Sequence, residues 1–455
     1  MGILIKNGII ATHCRTYLGD ILIEDGVIKK IGLDIDDSEN DIIDAKGMYI
    51  LPGGVDVHTH LNIDVGIAKA KDDYYTGTLA AACGGTTTII DHLGFGSKDC
   101  KLIDQINLYH KYANNNAVID YGFHGVIQHI DDDILNEMKD VVINEGITSF
   151  KIYLTYDYKL SDMDILRLFQ RAKELEITIT VHCENDDIIE YLKEKNVSEN
   201  NLQAKYHGIS RPAQSEAEAV NRMISLAKTV GYNNLYVVHL STKLGLEYVK
   251  MAKKEGTKVT VETCTQYLTL NDSRYENSTE ALKYILSPPL RKNKDIEALW
   301  NGIKEGQISV IATDHCPFDF TVEKQLGKDD FRKCPNGLPG IEERMSIIFS
   351  EGVMKNRISI NKFVEVCCTN PAKIFGIYPI KGTIDIGSHG DIVIIDPNKE
   401  ITLKNSMLHH NVDYTAYEGM RIKGYPIMTL CRGKVVAKNG EFIGEIGYGK
   451  YIKRK

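Results

Sequence analysis

Between residues 52 and 375 short apolar runs alternate with amphipathic stretches, and the alternation repeats eight times. The runs fall at 54–57, 86–91, 121–127, 149–154, 178–181, 235–240, 258–263 and 308–313. Between them, segments such as 161–176 and 216–230 carry the apolar periodicity of helices. Strands separated by helices need crossover connections and build a parallel sheet. Eight such units over roughly 320 residues fit a (β/α)8 TIM barrel, in which functional side chains stand at the carboxyl ends of the strands.

The two flanks have a different character. The first reads as strands at 3–6, 9–12, 20–24 and 27–31, with hairpin signals at Asn7-Gly8 and Asp25-Gly26. The last reads as strands at 392–396, 427–431, 434–437 and 441–443, with turns at Arg432-Gly433 and Asn439-Gly440. We therefore expect a second, smaller β-sandwich domain built from both chain ends, 1–51 and 376–455, beside a barrel spanning 52–375.

The chemistry sits where the barrel reading wants it. His58-Thr59-His60 closes the first apolar run, and residues two apart on a strand share a face, so both imidazoles can reach one cation. Lys151 lies within the fourth run, His182 follows the fifth, His239 stands near the end of the sixth and Asp314 follows the eighth. Four histidines and one aspartate can hold two Zn²⁺-like ions. Such a pair wants a bridging anion. A lysine inside an apolar barrel strand loses basicity on burial, and its neutral amine can take up CO2 to become an anionic carbamate. The alternative is a lysine that snorkels to the barrel rim or pairs with an acid. His92, His124, His129 and His315 also lie near strand ends and read as supporting or structural. His13, His110, His207, His389, His409 and His410 read as surface residues.

Net charge is −8, from 54 basic and 62 acidic residues, and no basic block precedes the short tail at 450–455, which reads as a solvated terminus. A nucleic-acid partner is not expected. No apolar stretch approaches membrane-spanning length, and the first residues are strand-like, so a cytoplasmic protein with no membrane partner is expected. The ten cysteines are scattered without a C-x-x-C pair and read as mostly buried thiols of a reducing compartment.

Eight motifs, in order, carry a resemblance along nearly the whole chain: Pro52-Gly-Gly-Val-Asp-Val-His-Thr-His60, Gly84-Gly-Thr-Thr-Thr88, Ser149-Phe-Lys-Ile-Tyr-Leu-Thr-Tyr156, Val181-His-Cys-Glu-Asn185, Val238-His-Leu-Ser241, Ser287-Pro-Pro-Leu-Arg291, Thr313-Asp-His-Cys-Pro317 and Asn336-Gly-Leu-Pro-Gly340. The chain resembles the dihydropyrimidinase/D-hydantoinase family of cyclic amidohydrolases. That resemblance implies a binuclear metal-dependent hydrolase acting on dihydropyrimidines and 5-substituted hydantoins. It implies two divalent ions, Zn or alternatively Mn, with His58, His60 and Asp314 at one, His182 and His239 at the other, and carboxylated Lys151 as the bridge. It implies Tyr156 as donor to the oxyanion, Asp314 as proton carrier, and Ser287 and Asn336 as positions whose backbone groups bind a small cyclic ureide. A homotetramer is implied as well. Dihydroorotases carry an arginine two residues after the second histidine; here that position is Asn62, which argues against that activity. An allantoinase is the nearer alternative. A non-enzymatic interaction protein of the same fold is disfavoured, because the ligand set is complete.

Overall fold

The computed structural model describes residues 2–36 and 40–454. Eight strands, Gly54–Thr59, Thr86–His92, Asp120–Val126, Ser149–Tyr153, Thr178–His182, Leu235–Val237, Val259–Cys264 and Val310–Ala312, pair in sequence order as one parallel sheet. The first and last strands meet where Asp314 N donates to His58 O at 2.9 Å and His60 N to His315 O at 2.9 Å. This is the expected (β/α)8 barrel. Its sixth and eighth strands end before the expected 240 and 313, because His239 and Asp314 leave extended geometry for φ of 39° and 55°.

The helices between strands follow local rules. In Asp162–Glu174, Ser161 Oγ caps the start by accepting from Asp164 N at 3.2 Å. Asp162 and Asp164 occupy the first turn and Arg171 and Lys173 the last, which complements the helix dipole. Ile165, Leu168, Phe169 and Ala172 recur at helical spacing and are the buried face against the barrel.

Both chain ends share a separate nine-stranded mixed sheet. Tyr49–Pro52 is its seam, pairing parallel with Ile3–Ala11 and antiparallel with Ile392–Thr402. Isoleucines from both ends, including Ile5, Ile10, Ile21, Ile392 and Ile394, form its core. Asp25-Gly26, Arg432-Gly433 and Asn439-Gly440 are two-residue hairpins with positive φ at both positions. Asn7-Gly8 is not a hairpin: the strand runs on from Ile3 to Ala11, and Asn7, at φ 64°, makes a bulge instead.

Two other expectations are corrected. The tail is packed rather than solvated over 450–454, residue 455 lying outside the described residues: Tyr451 bridges to Tyr121, and Arg454, 3% exposed, donates to Ser149 Oγ at 2.7 Å from beneath the barrel. His207 and His410 are buried, not surface, since each satisfies a ring nitrogen internally, on Leu286 O at 2.7 Å and Asn405 Oδ1 at 3.0 Å. Among the described residues no helix is long and apolar enough to cross a membrane.

Candidate metal centre and active site

The barrel mouth opens into a cavity of about 550 Å³. Its lining includes every residue singled out from the sequence: His58, His60, Lys151, Tyr156, His182, His239, Ser287, Asp314 and Asn336. A surface groove of about 650 Å³ between Lys205 and Asp295 is larger but holds no histidine, so the chemistry belongs to the barrel mouth.

Asp314 Oδ1 lies 3.1 Å from His58 Nε2 and 3.2 Å from His60 Nε2. Those are the separations of atoms that share one cation at the usual Zn–N and Zn–O distances. Across the cavity His182 Nδ1 faces His239 Nε2 at 2.9 Å. His182 Nε2 donates to Glu184 Oε2 at 2.8 Å, which leaves its Nδ1 lone pair toward the cavity. His58 is set the same way: Nδ1 donates to Glu262 Oε1 at 2.6 Å and Nε2 is presented to Asp314. Ligand atoms of His58, His239 and Asp314 lie within 4.8 Å of one another.

The electrostatics agree with cation binding. Burial lowers the His60 imidazole to about 4 and holds His182 and His239 below the usual histidine value, so these rings are neutral. Burial also lowers His58, but Glu262 and then Asp314 outweigh it and carry the ring up to about 9. Burial works against the Asp314 carboxylate, yet His58 and His60 hold it well below the ordinary range. Lys151 is fully buried, its Nζ has no hydrogen-bond partner, and burial brings its amine down to about 8. A buried cationic nitrogen without a partner is costly. The unpartnered Nζ among these ligand-type side chains fits a residue arranged around ions it would help to hold.

Several site residues escaped the sequence reading. Glu262 and Glu184 fix two ligand tautomers, and the only sequence signal for Glu262 is an acid inside the apolar run 258–263. Buried Arg211 pairs with Glu184 and places its guanidinium 5.5 Å from the Tyr156 ring centroid. Phe95 stacks on Tyr158 at 3.7 Å between centroids and 6° between planes, making an apolar wall with Tyr153 and Ile63. His92, assigned a supporting role, stacks on His124 at 4.3 Å, lies tilted by 47° against His58 at 4.4 Å, and does not line the cavity. His315 donates to Asp72 Oδ2 at 2.8 Å and anchors the backbone next to Asp314.

The model of the amidohydrolase family matches residues 49–436. The chain is 48% identical to a D-phenylhydantoinase of Escherichia coli O1:K1 over 456 aligned positions, covering 100% of this chain and 98% of that protein. The crystal structure of dihydropyrimidinase from Brevibacillus agri NCHU1002 superposes with TM-score 0.98 at 42% identity, over 100% of this chain and 99% of that one. An L-hydantoinase (dihydropyrimidinase) from Arthrobacter aurescens superposes with TM-score 0.90 at 30% identity, over 99% of both chains.

Proposed function

This chain belongs to the amidohydrolase family, and from that membership we propose that it opens the ring amide of dihydropyrimidines and 5-substituted hydantoins to give N-carbamoyl amino acids. The observation that carries the reading is the meeting of His58, His60, Lys151, His182, His239 and Asp314 in one cavity, in a chain alike over its whole length to hydantoin-opening enzymes.

His58, His60 and Asp314 would hold one divalent ion, and His182 and His239 the second. Lys151, as the carbamate formed from its neutral amine and CO2 with release of a proton, would bridge them. Zn is the expected metal, with Mn the alternative. Such a pair supplies a water acidic enough to be a nucleophile at neutral pH and polarises the amide carbonyl. The chain's own groups do the rest. Ser287 and Asn336 hold the ureide through backbone groups, so a ring lacking its N–H and C=O groups is rejected. The Tyr156 hydroxyl donates to the carbonyl oxygen as it gains charge. Asp314 accepts one proton of the attacking water and passes it to the leaving ring nitrogen, the water's other proton is released to solvent, and the products are a carboxylate and a free ureido NH2. The Phe95–Tyr158 stack, Tyr153 and Ile63 receive the substituent on the ring. We extend the reading to a cytoplasmic homotetramer, checked by fractionation and sedimentation, and to a division between the two domains at residues 51/52 and 375/376.

The test is metal content per chain together with ring-opening rates on dihydrouracil, 5-phenylhydantoin, allantoin and dihydroorotate. About two metals and turnover of the first two substrates are expected. Turnover of allantoin alone would move the chain to that activity. No metal and no turnover would overturn the reading.

A further inference from the structure

Ser287 and Asn336 lie on two irregular segments with little regular hydrogen bonding of their own. Yet the carbonyls around them are each captured by a buried donor. Lys324 Nζ donates to Ile285 O at 2.8 Å, to Pro335 O at 2.8 Å and to Gly337 O at 2.7 Å. His207 Nε2 lies 2.7 Å from Leu286 O, and Tyr267 OH donates to Pro288 O at 2.7 Å. Gly337 N ties the two segments together by donating to Ile285 O at 3.0 Å. Among the described residues, the carbonyls left without a protein donor in these two stretches are those of Ser287 and Asn336 themselves, the residues that line the cavity.

Lys324 is the member that touches both segments. It is 0% exposed and has no carboxylate partner; all three of its N–H groups are spent on backbone carbonyls. A buried lysine without a counter-charge is costly unless hydrogen-bonded. A charged donor shared among three carbonyls holds them more firmly than neutral contacts would. We propose that Lys324 is a positioning residue for substrate: it fixes the 285–288 and 335–337 segments at the spacing of a planar ureide and keeps the Ser287 and Asn336 carbonyls turned toward the ring N–H groups. It touches neither the ring nor any metal-ligand candidate. The proposal rests on the cyclic-ureide reading above.

The test separates ureide recognition from metal chemistry. In the metal-loaded enzyme, Lys324→Met keeps the length of the side chain and removes the three donors. KM for 5-phenylhydantoin is expected to rise at least about tenfold, as for loss of hydrogen bonds to a charged group. Inhibition by acetohydroxamate, which seeks the metals and not the ureide groups, should stay within about twofold, and two metals per chain should be retained. Should Lys324→Met not accumulate in folded form, Lys324→Arg decides. It keeps the charge with donors of different reach, and the same split is expected at about threefold in KM. An unchanged KM, or equal weakening of both ligands, would overturn the proposal. Failure of the ureide reading is distinguishable, because the wild-type enzyme would then turn over no cyclic ureide at all.

Discussion

Glu262→Gln isolates what a charged neighbour does for a ligand histidine. Glu262 Oε1 accepts from His58 Nδ1 at 2.6 Å and from His239 N at 3.1 Å, and Oε2 accepts from Tyr236 OH at 2.8 Å. Glutamine has the same shape. Its amide oxygen can keep the first two bonds, and its NH2 can donate to the Tyr236 hydroxyl, which turns to accept. Packing and hydrogen-bond count survive; the charge does not. That charge is the main influence holding His58 up at about 9 against burial, so it makes Nε2 a strong donor to a cation. Loss of such an outer carboxylate typically costs about 10–100-fold in metal affinity, which is about 1.4–2.8 kcal/mol. Competition against chelators of graded affinity, with metal counted per chain, measures it. One ion should leave at lower chelator strength than in wild type, while the second and the circular dichroism spectrum are unchanged. An affinity for both ions within twofold of wild type would refute the reasoning. So would simultaneous loss of both ions with unfolding, which would mean that Glu262 is needed for packing.

Lys151→Ala should lose metal bridging and activity, with partial return when a short carboxylic acid is added; full activity without the acid would exclude the carbamate. Tyr156→Phe should keep both metals but lower kcat by about 10²–10³, the usual cost of one oxyanion donor; single-turnover rates check it. At the joint between the sheets, Lys381 donates to Asp120 Oδ2 at 2.6 Å and to Asp391, all three groups buried. Lys381→Met removes the cation that the two carboxylates share and leaves Asp120 with Arg432 Nε, at 3.1 Å, as its remaining counter-charge, so it should destabilise by about 3 kcal/mol in denaturant unfolding, the low end for a broken buried pair. Burial opposes both charges, but the pairing lowers the Asp120 carboxyl and raises the Lys381 amine. A lowered acid stabilises above its unfolded value and a raised base stabilises below its own. The gap between variant and wild type should therefore be full from about pH 4 to pH 10. It should shrink as pH falls through the lowered Asp120 value, and again as pH rises through the raised Lys381 value. A gap independent of pH would refute the assignment.

How much of this was legible in the sequence follows from the range of each interaction. The eight barrel strands and the ligands at their ends are local signals: an apolar run, then a polar residue of defined chemistry. The sandwich strands were legible for the same reason, and three of four turn signals act as read. Asn7-Gly8 fails because positive φ suits a bulge as well as a hairpin, and the choice depends on the partner strand Thr16–Glu24. The residues that escaped act across the fold. Glu262 meets His58 over 204 positions of sequence, and Lys324 meets Ile285 over 39. No pattern within a window of a dozen residues reports such pairs. The only hint at Glu262 and Lys381 is a charge in an otherwise apolar or turn-rich setting, which becomes informative once a partner is known.

Backbone strain at the site explains how Tyr156, His239 and Asp314, which lie just beyond strand ends, join His58, Lys151 and His182, which lie on strands, at the barrel mouth. Tyr156, His239 and Asp314 hold φ of 71°, 39° and 55°, a region that costs a non-glycine residue about 1–3 kcal/mol. A residue still in the strand points either into the barrel core or out to the helices. To bring a side chain from just beyond a strand back over the mouth the backbone must turn sharply, and left-handed φ does this in a single residue. The cost is offset by bonds that exist only in that turned state. Asp314 N reaches His58 O at 2.9 Å, closing the barrel, and His239 N reaches Glu262 Oε1 at 3.1 Å, on the carboxylate that also orients His58. The strained residues thus sit on the hydrogen bonds that define the ligand geometry. Relieving the strain with glycine would remove the ligand, and relieving it by straightening the strand would break the contact that orients its neighbour. Strain and site are held by the same few atoms.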